Sequence, residues 1–158
     1  MKHTLSLALG ATLIASQAAA LSCMQPDPAR TFQQVAAAEE RYVVFLGTFD
    51  FAAPPVQRGR LNAQPQQVTA TFQGQGLGAG GFAPTAPVSI TLQTSCSGPW
   101  CGNFPTRGAE VLTFVEQTDA GYVLTLDACG GLLFDPSAAP IVESCIRGEG
   151  CEENAVFR

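Results

Sequence analysis

Beyond its first twenty residues this chain has neither a histidine nor a lysine. The single copy of each, His3 and Lys2, stands at the very start. Without an imidazole, residues 21–158 cannot assemble a Ser-His-Asp hydrolase, and a cysteine nucleophile has no imidazole to take its proton. The commonest metal ligand is missing as well. Charge is scarce: Asp, Glu, Lys and Arg make up 13% of the residues. From residue 21 on, seven arginines stand against thirteen acidic residues, and seven minus thirteen is −6. An acidic chain with no Lys/Arg cluster lacks the electrostatic footprint of a nucleic-acid or anionic-lipid binder. The Arg58-Gly59-Arg60 pair is its one local basic spot and reads as a solvated loop. The longest apolar run, residues 5–15, is too short to span a bilayer.

What is present begins with that run. Met1-Lys2-His3, an apolar stretch of signal-peptide length and Ala18-Ala19-Ala20 together read as an export signal, with cleavage between Ala20 and Leu21. An uncleaved anchor and a lipidated Cys23 are the alternatives. Residue 20 is Ala where lipidation sites usually carry Leu, and lipidation would leave five other cysteines, an odd number. Cleavage leaves 138 residues, enough for a single domain over 21–158 with a core of its own. The product is expected in the periplasm or outside the cell, as a monomer with no cofactor and no metal. All six cysteines, at positions 23, 96, 101, 129, 145 and 151, survive the cut. An even set in an exported chain reads as a disulfide framework, with fifteen formal pairings. Cys96, Cys101, Cys145 and Cys151 also have a loose zinc-like spacing, but an oxidising compartment favours disulfides over free thiolates.

Local patterns predict a mainly β chain. Asp27-Pro28 and the 3.6-residue recurrence of Phe32, Val35 and Ala36 predict a short helix over residues 29–40. Residues 41–50 (RYVVFLGTFD) are β-branched and aromatic, hence a strand. Further strands are predicted over 67–73, 88–92, 110–116 and 122–126, the last two joined by a turn at Thr118-Asp119-Ala120-Gly121. Residues 53–66 and 95–109 read as loops, and 74–87 as a flexible Gly/Pro-rich connection. The tail, 130–158, reads as turn-rich with one helical turn around residues 141–144. Five short strands with one early helix predict a small barrel or sandwich.

Candidate chemistry is sparse. Glu39/Glu40 and Glu152/Glu153 are adjacent carboxylates, and neighbours in sequence point apart, so both pairs read as solvated. The glycines of residues 74–81 lack the Lys and Ser/Thr of a phosphate loop. Trp100, between Pro99 and Cys101, is either an exposed interaction anchor or a lid on the barrel end. The chain is therefore expected to be a binding module and not an enzyme.

One ordered set of motifs goes further. Leu21-Ser22-Cys23 opens the mature chain, followed by a helix and VVFLGTF. Then come Cys101-Gly102, Gly108, the strand EVLTFVE, TDAGYVLTL and Ala128-Cys129. This order, over residues 21–129, resembles the netrin-like module, and within it the N-terminal domain of tissue inhibitors of metalloproteinases. The resemblance implies a five-stranded OB-type barrel. It also implies a Cys23–Cys129 pair, leaving Cys96 with Cys101 and Cys145 with Cys151. In that family the first mature residue is a cysteine whose α-amino group and carbonyl chelate a protease zinc. Here Leu21 takes its place, while Ser22 matches the small hydroxyl residue that follows. The resemblance thus implies a zinc protease as partner, met through Leu21, Ser22 and Cys23. The alternative is a periplasmic or envelope protein that binds a small ligand or glycan through its barrel loops at 74–87 and 95–109.

Overall fold

The computed structural model describes residues 22–54 and 64–152. Residues 1–20, expected as an export signal, together with Leu21, the Arg58/Arg60 pair and Glu153 lie outside the described residues. The chain starts with helix α1 (Pro28–Ala37), capped by Asp27, whose carboxylate accepts the Arg30 backbone N–H at 2.9 Å. Pro28 occupies the first turn, where its missing N–H costs nothing.

Among the described residues nine strands follow: β1 (Arg41–Asp50), β2 (Gln67–Gly78), β3 (Gly81–Pro84), β4 (Val88–Thr94), β5 (Cys96–Ser97), β6 (Trp100–Cys101), β7 (Glu110–Thr118), β8 (Gly121–Leu126) and β9 (Leu133–Phe134). The five long ones close a barrel. β1 pairs antiparallel with β2 and β7, β2 with β4, and β7 with β8. The ring shuts where β4 runs parallel to β8, Ile90 opposite Tyr122 and Thr94 opposite Leu126. In chain order the long strands neighbour one another as 1-2-3-5-4, returning to 1, which is the five-stranded OB-type barrel expected.

Strand pleating explains two apolar layers. Phe45 and Phe49 of β1 point inward with Phe72, Ile90, Leu92, Val115 and Leu124, and these fill the barrel. The alternate residue Val44 points outward with Leu112 and Phe114 of β7, where helices cover them. β1 and β2 pass unusually close at Gly47 opposite Gly74. A Cβ on Gly47 would collide with the Gln73 carbonyl and lie 2.7 Å from Gly74 Cα and from the Phe72 ring. Both positions therefore need glycine for space.

Three sequence expectations change here. Residues 74–87 are not a flexible connection: β2 runs on to Gly78, turns at Ala79-Gly80 and returns as β3, with Leu77 opposite Phe82. Glycine has low strand propensity, and hydrogen bonding to β1 and β3 overrides it. Residues 95–109 are not wholly loop, since β5 and β6 form a small hairpin. The tail also carries far more than one helical turn. Asp135 starts a 3-10 turn (Pro136–Ala138) that leads into a second helix, α2 (Ala139–Arg147). Pro140 sits in its first turn, and Gly148, at φ +70°, ends it by donating to the Ser144 and Cys145 carbonyls.

Val142, fully buried, seals α2 onto the outer layer beside Phe32 and Val35 of α1. Glu143 accepts the Phe82 backbone N–H at 3.1 Å, so α2 also caps the edge strand β3. β9 adds Leu133 and Phe134 to β7. Hydrogen bonds from Ser137 hold the Asp135 carboxyl below the usual carboxylate range. A lowered folded-state pKa contributes stability above the unfolded value and loses it as pH falls through the lowered one. We expect Asp135→Ala to flatten that acid limb in urea unfolding followed from pH 5 downward; an unchanged limb would mean the cap is silent.

Candidate N-terminal interaction site

The site is built from the barrel end where β8 stops. Leu126 accepts the Ser95 N–H at 2.9 Å, and Ser95 in turn accepts the Gly102 N–H at 3.0 Å. The β5–β6 hairpin is thereby stitched to the last residue of β8. Gly102 packs so tightly that a Cβ there would strike the Leu126 carbonyl and lie 2.8 Å from the Asp127 oxygen. The Cys-Gly step has a plain physical reason: the second residue must lie flat on the β8 end.

Just beyond, Asp127 folds the chain. Its carboxylate accepts the backbone N–H groups of Cys129 at 2.7 Å and Gly130 at 2.8 Å, and Gly130 takes the left-handed conformation (φ +72°). This turn presents Cys129, which is bridged to Cys23. Cys129 stands three positions after Leu126, a reach of about 11 Å at full extension. The N-terminal segment and the Cys101-Gly102 hairpin therefore share one end of the barrel.

Three disulfides are present: Cys23–Cys129 across 106 residues, Cys96–Cys101 across five, and Cys145–Cys151 across six. These are the pairs that the resemblance implied. The short bridges reinforce local structure. Cys96 and Cys101 face each other across the β5–β6 hairpin, and Cys145–Cys151 folds the chain after α2 back toward α1. There the Gln33 amide donates to the Cys151 carbonyl at 2.8 Å.

Ser22 and Cys23 are exposed on this face, and Met24 is 69% exposed. Gln25 is held back by the Arg30 guanidinium, which donates to its carbonyl at 2.6 Å. Between this segment, α1 and the 127–132 turn lies a groove of about 440 Å³, lined by Met24, Asp27, Arg30, Thr31, Asp127 and Leu132. Of the four candidate residues, Ser22, Cys23 and Trp100 are described and Leu21 is not. Trp100 is 39% exposed and belongs to the hairpin anchored on β8, so it is not buried as a lid. We expect Trp100→Ala to change stability by less than about 1 kcal/mol in denaturant unfolding, far from the 3–5 kcal/mol of a buried aromatic. A core-sized loss would show that the ring is structural.

Sequence reading missed the roles of Asp127 and Gly102. The D-A-C-G run was a legible signal for the first, since Asp shortly before a left-handed glycine favours such a turn. No local signal marks the second, because its neighbour, the Leu126 carbonyl, arrives from another strand. Among the described residues no group of His, Cys, Asp and Glu could hold a metal ion, and no helix is long and apolar enough to cross a membrane. No protein-family model, no curated protein and no solved structure matches the chain.

Proposed function

We propose that the chain is an exported, netrin-like interaction module that acts through its mature N-terminus, with a zinc protease as partner. The observation that carries this reading is the Cys23–Cys129 bridge, which ties an exposed N-terminal segment to the barrel end that also bears the Cys101-Gly102 hairpin. An exposed segment covalently tied to one end of a barrel is suited to entering a cleft. Preorganising it covalently lowers the ordering cost of binding.

On this reading export removes residues 1–20, and cleavage makes Leu21 the first residue. Its free α-amine, with an ordinary pKa of about 7.7–8, offers a neutral lone pair at neutral pH. That amine and the Leu21 carbonyl are the pair of groups that would approach the partner's metal, and Ser22 follows as a small residue that does not obstruct it. Met24 and Trp100 supply apolar contact on the flanks. The protein does no bond-making of its own: it binds and blocks.

The test uses two proteins, one beginning at Leu21 and one carrying a single additional alanine before it. Titrated against a panel of zinc endopeptidases, the first is expected to inhibit at least one in the nanomolar range. The second is expected to lose at least tenfold, because acylation removes the amine. Equal potency of the two, or no inhibition by either, would overturn this reading.

A further inference from the structure

We propose that the Cys23–Cys129 bridge is a thiol-operated clasp, which a dithiol reductant opens before the other two bridges, releasing the N-terminal segment while the barrel stays folded. As regulation of the N-terminal site this rests on the function proposed above; as chemistry of the bridge it stands on the structure alone.

Three observations carry it. First, access differs: Cys23 is exposed on a segment outside any helix or strand, Cys96, Cys101, Cys129 and Cys151 are half-buried, and Cys145 is 8% exposed within α2. Thiol–disulfide exchange needs in-line approach to a sulfur, so the exposed Cys23 residue offers the readiest point of attack. Second, the reclosing geometry differs. Cys96 and Cys101 sit opposite each other in a paired hairpin. Cys145 and Cys151 flank a turn held by the Gly148 and Glu149 N–H groups bonding back to α2. Both pairs keep their thiols together after reduction, and their high effective concentration reverses the opening. Residues 22–26 have no helix or strand, so a freed Cys23 moves away from Cys129.

Third, α1 does not depend on the clasp. Asp27, Pro28, Ala29 and Thr31 are buried, and Thr31 donates its hydroxyl to the Gly131 carbonyl at 3.2 Å. Gln33 reaches Cys151, and Phe32 and Val35 pack on the cluster around Val142. Release therefore stops at Asp27.

One thiolate of the dithiol attacks Sγ of Cys23 or Cys129, forming a mixed disulfide and expelling the other cysteine as a thiolate. The second thiol of the reductant then displaces the protein sulfur. The dithiol ends as a cyclic disulfide, and the two electrons and two protons it loses leave Cys23 and Cys129 as free thiols.

The test treats the oxidised full-length mature protein with limiting dithiothreitol, quenches with iodoacetamide and maps the labelled cysteines by mass spectrometry, with circular dichroism recorded alongside. Cys23 and Cys129 are expected to be alkylated at least fivefold ahead of the other four, with an unchanged spectrum. A Cys23→Ser, Cys129→Ser double variant is expected to show the same spectrum and, under limited proteolysis, faster cleavage confined to residues before Asp27. Earlier or equal labelling of Cys96, Cys101, Cys145 or Cys151, or loss of the spectrum in step with Cys23 labelling, would overturn the clasp. Protease inhibition plays no part in this readout, so the clasp stands or falls independently of the inhibitor reading.

Discussion

Cys129→Ala is expected to lower the unfolding free energy by about 2–5 kcal/mol. The Cys23–Cys129 bridge spans 106 residues, nearly the whole barrel. Its main effect is on the unfolded chain, whose ends it holds together; losing it returns that entropy. The variant also leaves Cys23 with a free thiol, so Cys23→Ala is the matching control and should cost a similar amount. Denaturant unfolding under non-reducing conditions reads both. The transition midpoint should fall with little change in the native spectrum, because α1 is anchored by its own burial. A loss below about 1 kcal/mol would contradict the bridge as a staple of the fold. Cys96→Ala provides the contrast: its loop is five residues long, and the chain-entropy term is correspondingly smaller, about 2 kcal/mol.

Phe72→Ala is expected to cost about 3–5 kcal/mol. Its side chain is fully buried, with ring centroids 4.9 Å from Phe45 and 5.3 Å from Phe49. It also lies beneath the Gly47–Gly74 contact, filling the space that two missing side chains leave. Truncation therefore opens a cavity at the point where β1 and β2 approach most closely, and the strands cannot slump into it without losing their register. Phe72→Leu should recover much of the loss by keeping most of the volume. Equilibrium unfolding of the pair decides this. A Phe72→Ala loss under about 1 kcal/mol would place the ring outside the core.

The barrel was legible where a strand buries one face, as in β4, and where β-branched and aromatic residues crowd together, as in β1. Val88-Ser89-Ile90-Thr91-Leu92 shows the period directly, and Ile90 and Leu92 are both fully buried. Asp27-Pro28 marked α1 by its cap chemistry, and Asp119-Ala120-Gly121 marked the β7–β8 turn. What escaped was structure whose reason lies elsewhere in the chain. Gly74, Gly76 and Gly78 look like a linker until β1 and β3 are seen on either side of them. α2 hides behind Pro136 and Pro140, which read as turns in isolation but suit the first turn of a helix. Its place on the barrel is set by Val142 docking on Val44, Leu112 and Phe114, a contact no local pattern records.

The candidate site was legible only as a set of separate residues. Cys23, Cys129, Cys101 and Gly102 could be named from the motif order, but their convergence depends on Asp127 turning the chain and on Ser95 bonding to Leu126. Trp100 read as either anchor or lid, and its place in the β5–β6 hairpin, 39% exposed, was not visible from its neighbours in sequence. Leu21 lies outside the described residues, so the group assigned the central role in the proposed function is the one that experiment must reach first.

That experiment is non-reducing peptide mapping by mass spectrometry of the protein exported from a bacterial host. It reads the mature N-terminus and the cysteine pairs together. The account predicts a free α-amine on Leu21 and the bridges Cys23–Cys129, Cys96–Cys101 and Cys145–Cys151. A lipid on Cys23, a retained export segment, or Cys23 joined to any other cysteine would contradict it.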